Sequence, residues 1–271
     1  MDSRPGAQVT VRRLFAKSLW SLILVLCVLG AGEGRSNQAD RDWVKLWGQV
    51  LSQHTQSVDA EVGTRVDYEA LSKSALWPEL IESFSRVNVE RIAGRDEKLA
   101  FWINAYNIFA INIVLENYPV EGIKDIGSWI RPVWKRTAGQ IGTREYSLDE
   151  IEHRILRPMG EPRIHGAIVC ASISCPNLLR EPYLSSKLTE QLDASLRAFF
   201  LRPEKGMAIN RKNKTLRVSK VFDWFEEDFK SEGGVLPFVV RYAPPRDARW
   251  LRENREELSI RYLPYDWALN Q

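Results

Sequence analysis

Lys98-Leu99-Ala100-Phe101-Trp102-Ile103-Asn104-Ala105-Tyr106-Asn107-Ile108-Phe109, continuing to Tyr118 and stopped by Pro119, is the most hydrophobic of the helical stretches in the chain. A helix that is apolar almost all round has to be buried. Asn104 and Asn107 are three apart and so share a face of it. A buried amide left without partners costs roughly 1–3 kcal/mol, so these two either clamp a neighbouring backbone or line a polar pocket.

Working outward, residues 42–54 carry Trp43, Val44, Leu46, Trp47, Val50 and Leu51 at helical spacing. A further helical stretch runs through 71–84, interrupted near Pro78. Residues 120–146 look irregular, apart from a strand or hairpin around 140–146. Ser147-Leu148-Asp149-Glu150 is a capping box that opens a helix, and Pro158 closes it. Residues 164–170 form a short apolar run with β-branched members between Pro162 and Pro176, the pattern of a buried strand. Residues 186–201 are helical by period, with Leu188, Leu192, Leu196 and Phe199 on one side. Residues 207–210 and 215–219 flank Arg211-Lys212-Asn213-Lys214 and read as a β-hairpin. Helices follow at 220–230, 235–242 and 247–258, and the tail 259–270 returns as a strand. Helices and strands do not alternate regularly, so the expected class is α+β, a helix-rich single domain with a small sheet and a β-hairpin.

The first residues stand apart. Arg4, Arg12, Arg13 and Lys17 precede the apolar run 19–29, and Gly30, Ala31 and Gly32 follow it. That order is the signature of a secretory signal, so residues 1–34 are expected to act as a signal peptide, or as an anchor if uncleaved. Arg12-Arg13 resembles a twin-arginine signal, but Val11 stands where Ser or Thr is usual and the h-region is very apolar, which favours the general secretory route. The expected location is therefore extracytoplasmic, periplasmic or secreted, with membrane contact only through this segment. Residues 1–34 hold four Lys and Arg and two Asp and Glu, so the formal charge falls from +3 to +1 without them. That near-neutrality argues against nucleic acid as a partner. The remainder, 35–271, has the length of one globular domain.

Two cysteines remain beyond the leader, Cys170 and Cys175. Four readings are open for the pair: a disulfide, a reactive thiol, two inert buried thiols, or metal ligands. A thiol nucleophile needs a base within reach and gains from a helix N-terminus, and Pro176 after Cys175 is at home in a first helical turn. His165 or His153 would serve as base, with Asn104, Asn107 or Asp228 orienting it. No histidine follows residue 165, so a papain-like order of cysteine before histidine is excluded. The spacing of His153, His165, Cys170 and Cys175 matches no standard zinc module, so neither metal nor cofactor is expected. Asp149 and His153, at i and i+4, read equally well as a surface charge pair. Trp129 to Arg136 mixes aromatics with bases, the composition of a loop that meets an anionic ligand or one folded onto the domain.

Phe101 to Asn107, Ser147 to His153 and His165 to Pro176, with Ser219 to Phe229 behind them, together resemble the family catalogued as domain of unknown function 547. The resemblance is strongest over residues 98–201. It implies no established activity. Gly166 stands where relatives often carry an aromatic, and is expected to open space beside His165. Two functional expectations follow: a binding or structural module with a His/Cys/Asn polar cleft, or a thiol-dependent hydrolase or acyltransferase using Cys175 and His165.

Overall fold

The computed structural model describes residues 42–128 and 130–271. The expected leader, 1–34, lies outside these residues, as does Trp129. Helix α1 covers 42–54 and leads through β1 (Thr55–Ser57) and β2 (Thr64–Val66) to α2 (Tyr68–Ser72) and α3 (Leu76–Ser85). The helical stretch 71–84 is thus two helices. The break falls at 73–75, and Pro78 sits in the first turn of α3, where its missing N–H costs nothing.

Helix α4 (Arg95–Leu115) is buried at every position from Leu99 to Val114. It is long and apolar enough to cross a membrane by composition, but here protein covers it. Phe84 of α3 meets Phe101 at 5.3 Å and Phe109 at 5.7 Å, and Trp43 of α1 closes over Phe84 at 5.0 Å. Three short sheets flank this helical core. β1–β2 and β3 (Thr137–Ile141) with β4 (Arg144–Ser147) are antiparallel hairpins. The third sheet pairs β5 (Met207–Asn210) antiparallel to β6 (Thr215–Val218), and β6 parallel to β7 (Ser259–Tyr262). The class is α+β, as the pattern predicts.

Between the sheets the chain is helical in unequal pieces. Ser147 caps α5 (Leu148–Glu150) by accepting from Glu150 N–H, and the helix widens into a π-helical segment, Ile151–Leu156. Pro158 lies in the closing 3-10 turn, and Gly160 ends it at φ 66°. α6 (Leu188–Phe200) joins two cores: Leu188 and Leu192 pack around α4, whereas Leu196, Phe199 and Phe200 pack with the third sheet. The expected helix 220–230 is α7 (Val221–Trp224) followed by a 3-10 segment, Glu226–Glu232. α8 (Val235–Tyr242) falls where expected, and α9 (Pro245–Glu253) starts at its proline and ends before the expected 258.

The run 164–170 is not a strand. Pro162–Gly166 is a 3-10 turn, opened by Glu161 accepting from Arg163 N–H, and 167–171 is irregular. The run is apolar because it is buried, and its backbone bonds come from its own turn and from side chains rather than a ladder. Asn107 accepts from Val169 N–H at 2.8 Å and donates to Ala167 C=O at 3.0 Å. After β7 the tail runs back beside this region: Ile173 N–H donates to Ala268 C=O and Asn270 N–H to Ala171 C=O.

Candidate functional site

The 3-10 turn Pro162–Gly166 delivers His165 into the interior. Contrary to the expectation from sequence, Gly166 opens no space there. A Cβ on it would lie 2.6 Å from Leu196 Cδ2, so the missing side chain is what lets α6 approach. The His165 ring stacks on Phe225, centroids 4.4 Å apart at 20°. Its Nε2 lies 2.8 Å from Asp228 Oδ2, and Arg157 grips the same carboxylate at 2.6 and 2.7 Å. Burial alone would raise the Asp228 pKa, but the hydrogen bonds from His165 and Arg157 hold the carboxyl well below its ordinary range. An ionised Asp228 only accepts, so Nε2 carries the hydrogen and Nδ1 keeps its lone pair. Nδ1 is buried and has no hydrogen-bond partner among the described residues. Burial also lowers the His165 pKa, against the pull of Asp228, which favours the neutral ring.

Cys170 and Cys175 are free thiols in the structure, with no bridge between them. The helix anticipated after Pro176 is also absent: residues 176–184 form no helix. Hydrogen-bond donors take the place of both. Cys170 N–H donates to Cys175 Sγ at 3.1 Å, and the Tyr265 hydroxyl lies 3.2 Å from it. The neighbouring Cys170 side chain and the Ser172 backbone also favour the thiolate form. Burial pushes the Cys175 pKa up, but these donors outweigh it and bring the thiol below its ordinary value. Ala171, between the two backbone donors, adopts φ 61°. That left-handed conformation is costly for alanine, and successive N–H groups turned together make an anion-binding concavity. Cys170 is the opposite partner: its bond to Cys175, then burial, raise its pKa well above the ordinary value.

The loop is pinned from below by Lys205, whose buried ammonium donates to Cys175 C=O at 2.6 Å, Val62 C=O at 2.8 Å and Ile173 C=O at 3.2 Å. Burial drives the Lys205 pKa down to about 8, while the charge of Cys175 pulls it up. A cation held under the loop is thus coupled to the thiolate.

His153, His165, Cys170 and Cys175 all line one cavity of about 410 Å³. The π-helical segment contributes Glu152 beside His153. Glu152 is buried, lies 3.3 Å from Tyr106 Oη of α4, and has its pKa raised to about 7 by burial. His153 is occupied: Arg157 donates to Nδ1 at 2.8 Å and Asp149 stands 3.9 Å from Nε2. Burial lowers its pKa as well. The outer wall is aromatic. Trp134 and Trp267 meet edge-on at 5.3 Å, Tyr265 packs on Trp267 at 4.4 Å, and Trp224 is 44% exposed at the edge. Lys124 caps the Trp267 ring at 3.9 Å, and Lys135 also lines the wall. The stretch 130–136 therefore folds onto the domain, with Pro132, Trp134 and Lys135 facing the cavity and Ile130 exposed.

Asn104 and Asn107 of α4 do not line this cavity. Asn104 donates to Ala100 C=O and Tyr183 C=O and accepts from Trp47 Nε1 and Tyr183 N–H, while Asn107 clamps 167–169. Both are backbone clamps. Among the described residues no group of three His, Cys, Asp or Glu is placed to hold a metal ion. Sequence reasoning passed over Glu152, Tyr265, Lys205 and Arg157. Glu152 stands next to His153 in the stretch 147–153 but reads as solvated, and Tyr265 lies ninety residues from Cys175 with no local signal.

No curated protein and no solved structure gives a significant match to the chain. A family model described as "Protein of unknown function, DUF547" matches residues 89–200. That span includes Glu152, both cavity histidines and both cysteines, and leaves Asp228 and Tyr265 outside. Over residues 89–200, less than half of the chain, it is similar to the DUF547 family.

Proposed function

We propose that the chain is a thiol-dependent acyltransferase or hydrolase, with Cys175 as nucleophile and His165 as base, oriented by Asp228. One observation carries this reading. Cys175 Sγ, surrounded by hydrogen-bond donors, shares a cavity with a histidine that is fixed by a carboxylate at Nε2 and unpaired at Nδ1. A nucleophile, a base and an orienting group are what covalent acyl transfer requires. His153 is a poorer base because Arg157 already occupies its Nδ1.

In the first half-reaction Sγ adds to an acyl carbon and the bond to the leaving group breaks. The leaving group takes up the proton that Nδ1 removed from the thiol. In the second half Nδ1 takes a proton from water or another acceptor, which attacks the thioester and restores Sγ. Nδ1 and Sγ share no direct hydrogen bond, so the first transfer runs through a water or a substrate group. We place this activity outside the cytoplasm, on the basic, apolar and small segments of residues 1–34.

The rival reading, a non-catalytic binding module, is supported by the aromatic wall and makes Cys175 dispensable. An activated ester separates the two. Incubation with p-nitrophenyl acetate should leave an acetyl group on the peptide containing Cys175, detected by mass mapping. Cys175→Ala should remove it, and His165→Ala should slow turnover by about 10²-fold or more. Acetylation confined to lysines, with Cys175 unmodified, would sink the enzyme reading.

A further inference from the structure

Cys170 has no part in the acyl-transfer scheme, yet it is held against the nucleophile. Its backbone N–H donates to Cys175 Sγ at 3.1 Å, and the Tyr265 hydroxyl reaches both sulfurs, at 3.5 Å from Cys170 and 3.2 Å from Cys175. Both line the cavity, and Cys170 is only partly buried, so a small reagent entering the cavity meets the two together. Four residues separate them, 171–174, and this loop carries the left-handed Ala171. Resting on the reading of Cys175 as nucleophile, we propose that the pair is a site of reversible oxidation: a hydroperoxide converts Cys170 and Cys175 to a disulfide that switches the cavity off.

The chemistry balances on groups already in place. Cys175 Sγ attacks the hydroperoxide, an S–O bond forms, the O–O bond breaks, and an alcohol, or water from hydrogen peroxide, leaves with a proton. Cys175 is then a sulfenic acid. Cys170 sulfur attacks it, the S–S bond forms, the S–O bond breaks, and the hydroxide leaves as water with the proton of the Cys170 thiol. The two sulfurs give up two electrons and the peroxide takes them. The division of labour matches the environments: the sulfur ringed by donors reacts first, and its protonated neighbour resolves. A bridge across so short a loop restrains little chain, so it adds little stability and is readily reduced again.

The test begins with reduced protein, freed of reductant, exposed to one equivalent of hydrogen peroxide. The tryptic peptide 164–180 contains both cysteines and no other cleavage site. It should lose two hydrogens, and iodoacetamide labelling of Cys175 should fall by about tenfold or more, then recover with dithiothreitol. In Cys170→Ser the sulfenic acid has no resolving partner. Excess peroxide should carry Cys175 on to the sulfinic acid, and dithiothreitol should no longer restore labelling. Gain of oxygen instead of loss of hydrogen in the unsubstituted protein would overturn the switch, as would full recovery of Cys170→Ser after excess peroxide. The underlying reading fails separately. If Cys175 in the reduced protein resists iodoacetamide before any peroxide is added, there is no nucleophile to switch and both proposals fall. Rapid labelling with no bridge removes the switch alone.

Discussion

Asn104, Asn107 and Asn112 on α4 and Glu152, His165 and Cys175 around the cavity are all buried polar side chains, but they meet different surroundings. Each asparagine commits both ends of its amide to fixed partners. Asn112, for example, donates to Ala138 C=O and Glu116 and accepts from Trp77 Nε1. The cavity groups are left incomplete. Among the described residues His165 Nδ1 has no partner, Glu152 is held only by a long bond to Tyr106, and Cys175 gathers donors without a counter-charge in direct contact. Burying an unpaired polar group costs about 1–3 kcal/mol, so the fold gives up stability at one place and recovers it at the other. The satisfied set holds the chain in shape, and the unsatisfied set is where a reacting molecule would complete the bonding.

The sharpest way to break this division is at the clamps. Asn104→Leu leaves the Trp47 indole N–H and the Tyr183 backbone without partners, and should lower the unfolding free energy by about 4 kcal/mol. Asn107→Leu loses two bonds and should cost about 2 kcal/mol. Urea midpoints check both. Unchanged midpoints would mean the amides are not holding the backbone.

Glu152→Gln tests the other side. The carboxyl keeps its proton up to a pH of about 7 in the fold, against an ordinary value of 4.5. Between those values the folded state holds a proton that the unfolded state has lost. Stability therefore falls as pH rises from 4.5 to about 7 and levels off above, a change on the order of 3 kcal/mol. The amide does not titrate, so the substitution should abolish that decline. Equal pH profiles for the two proteins would show that Glu152 is solvated.

Tyr265→Phe removes one donor to Cys175 and should reduce the thiolate fraction near neutral pH by about tenfold, or 1.4 kcal/mol. The pH profile of alkylation reads this directly. An unmoved profile would assign the low pKa to the backbone donors alone.

The helices were legible because their signals are local: apolar spacing in α1 and α6, the Ser147 cap in α5, and a continuous apolar surface in α4. The run 164–170 misled for a physical reason. β-Branched apolar residues suit a buried strand, but they also suit any buried segment whose backbone is bonded otherwise, and the bonding here comes in part from Asn107, some sixty residues away. The site followed the same rule. The residue types of His153, His165, Cys170 and Cys175 point to one place, since all four line a single cavity, and the candidate Asp228 lies 2.8 Å from His165 Nε2. Asn104 and Asn107 were also candidates, and nothing local separates an amide that clamps a backbone from one that faces a cavity. Glu152 and Tyr265 were illegible because their roles depend on Tyr106 and on the returning tail.

The central claim is that Cys175 is a working nucleophile served by His165, and alkylation of the reduced protein across pH tests it most directly. Iodoacetamide followed by mass mapping should label Cys175 ahead of Cys170, rapidly even near pH 6, and more slowly in His165→Ala. Labelling of both cysteines at equal, slow rates, and only once the protein is unfolded, would contradict the account and leave two inert thiols in an aromatic cavity.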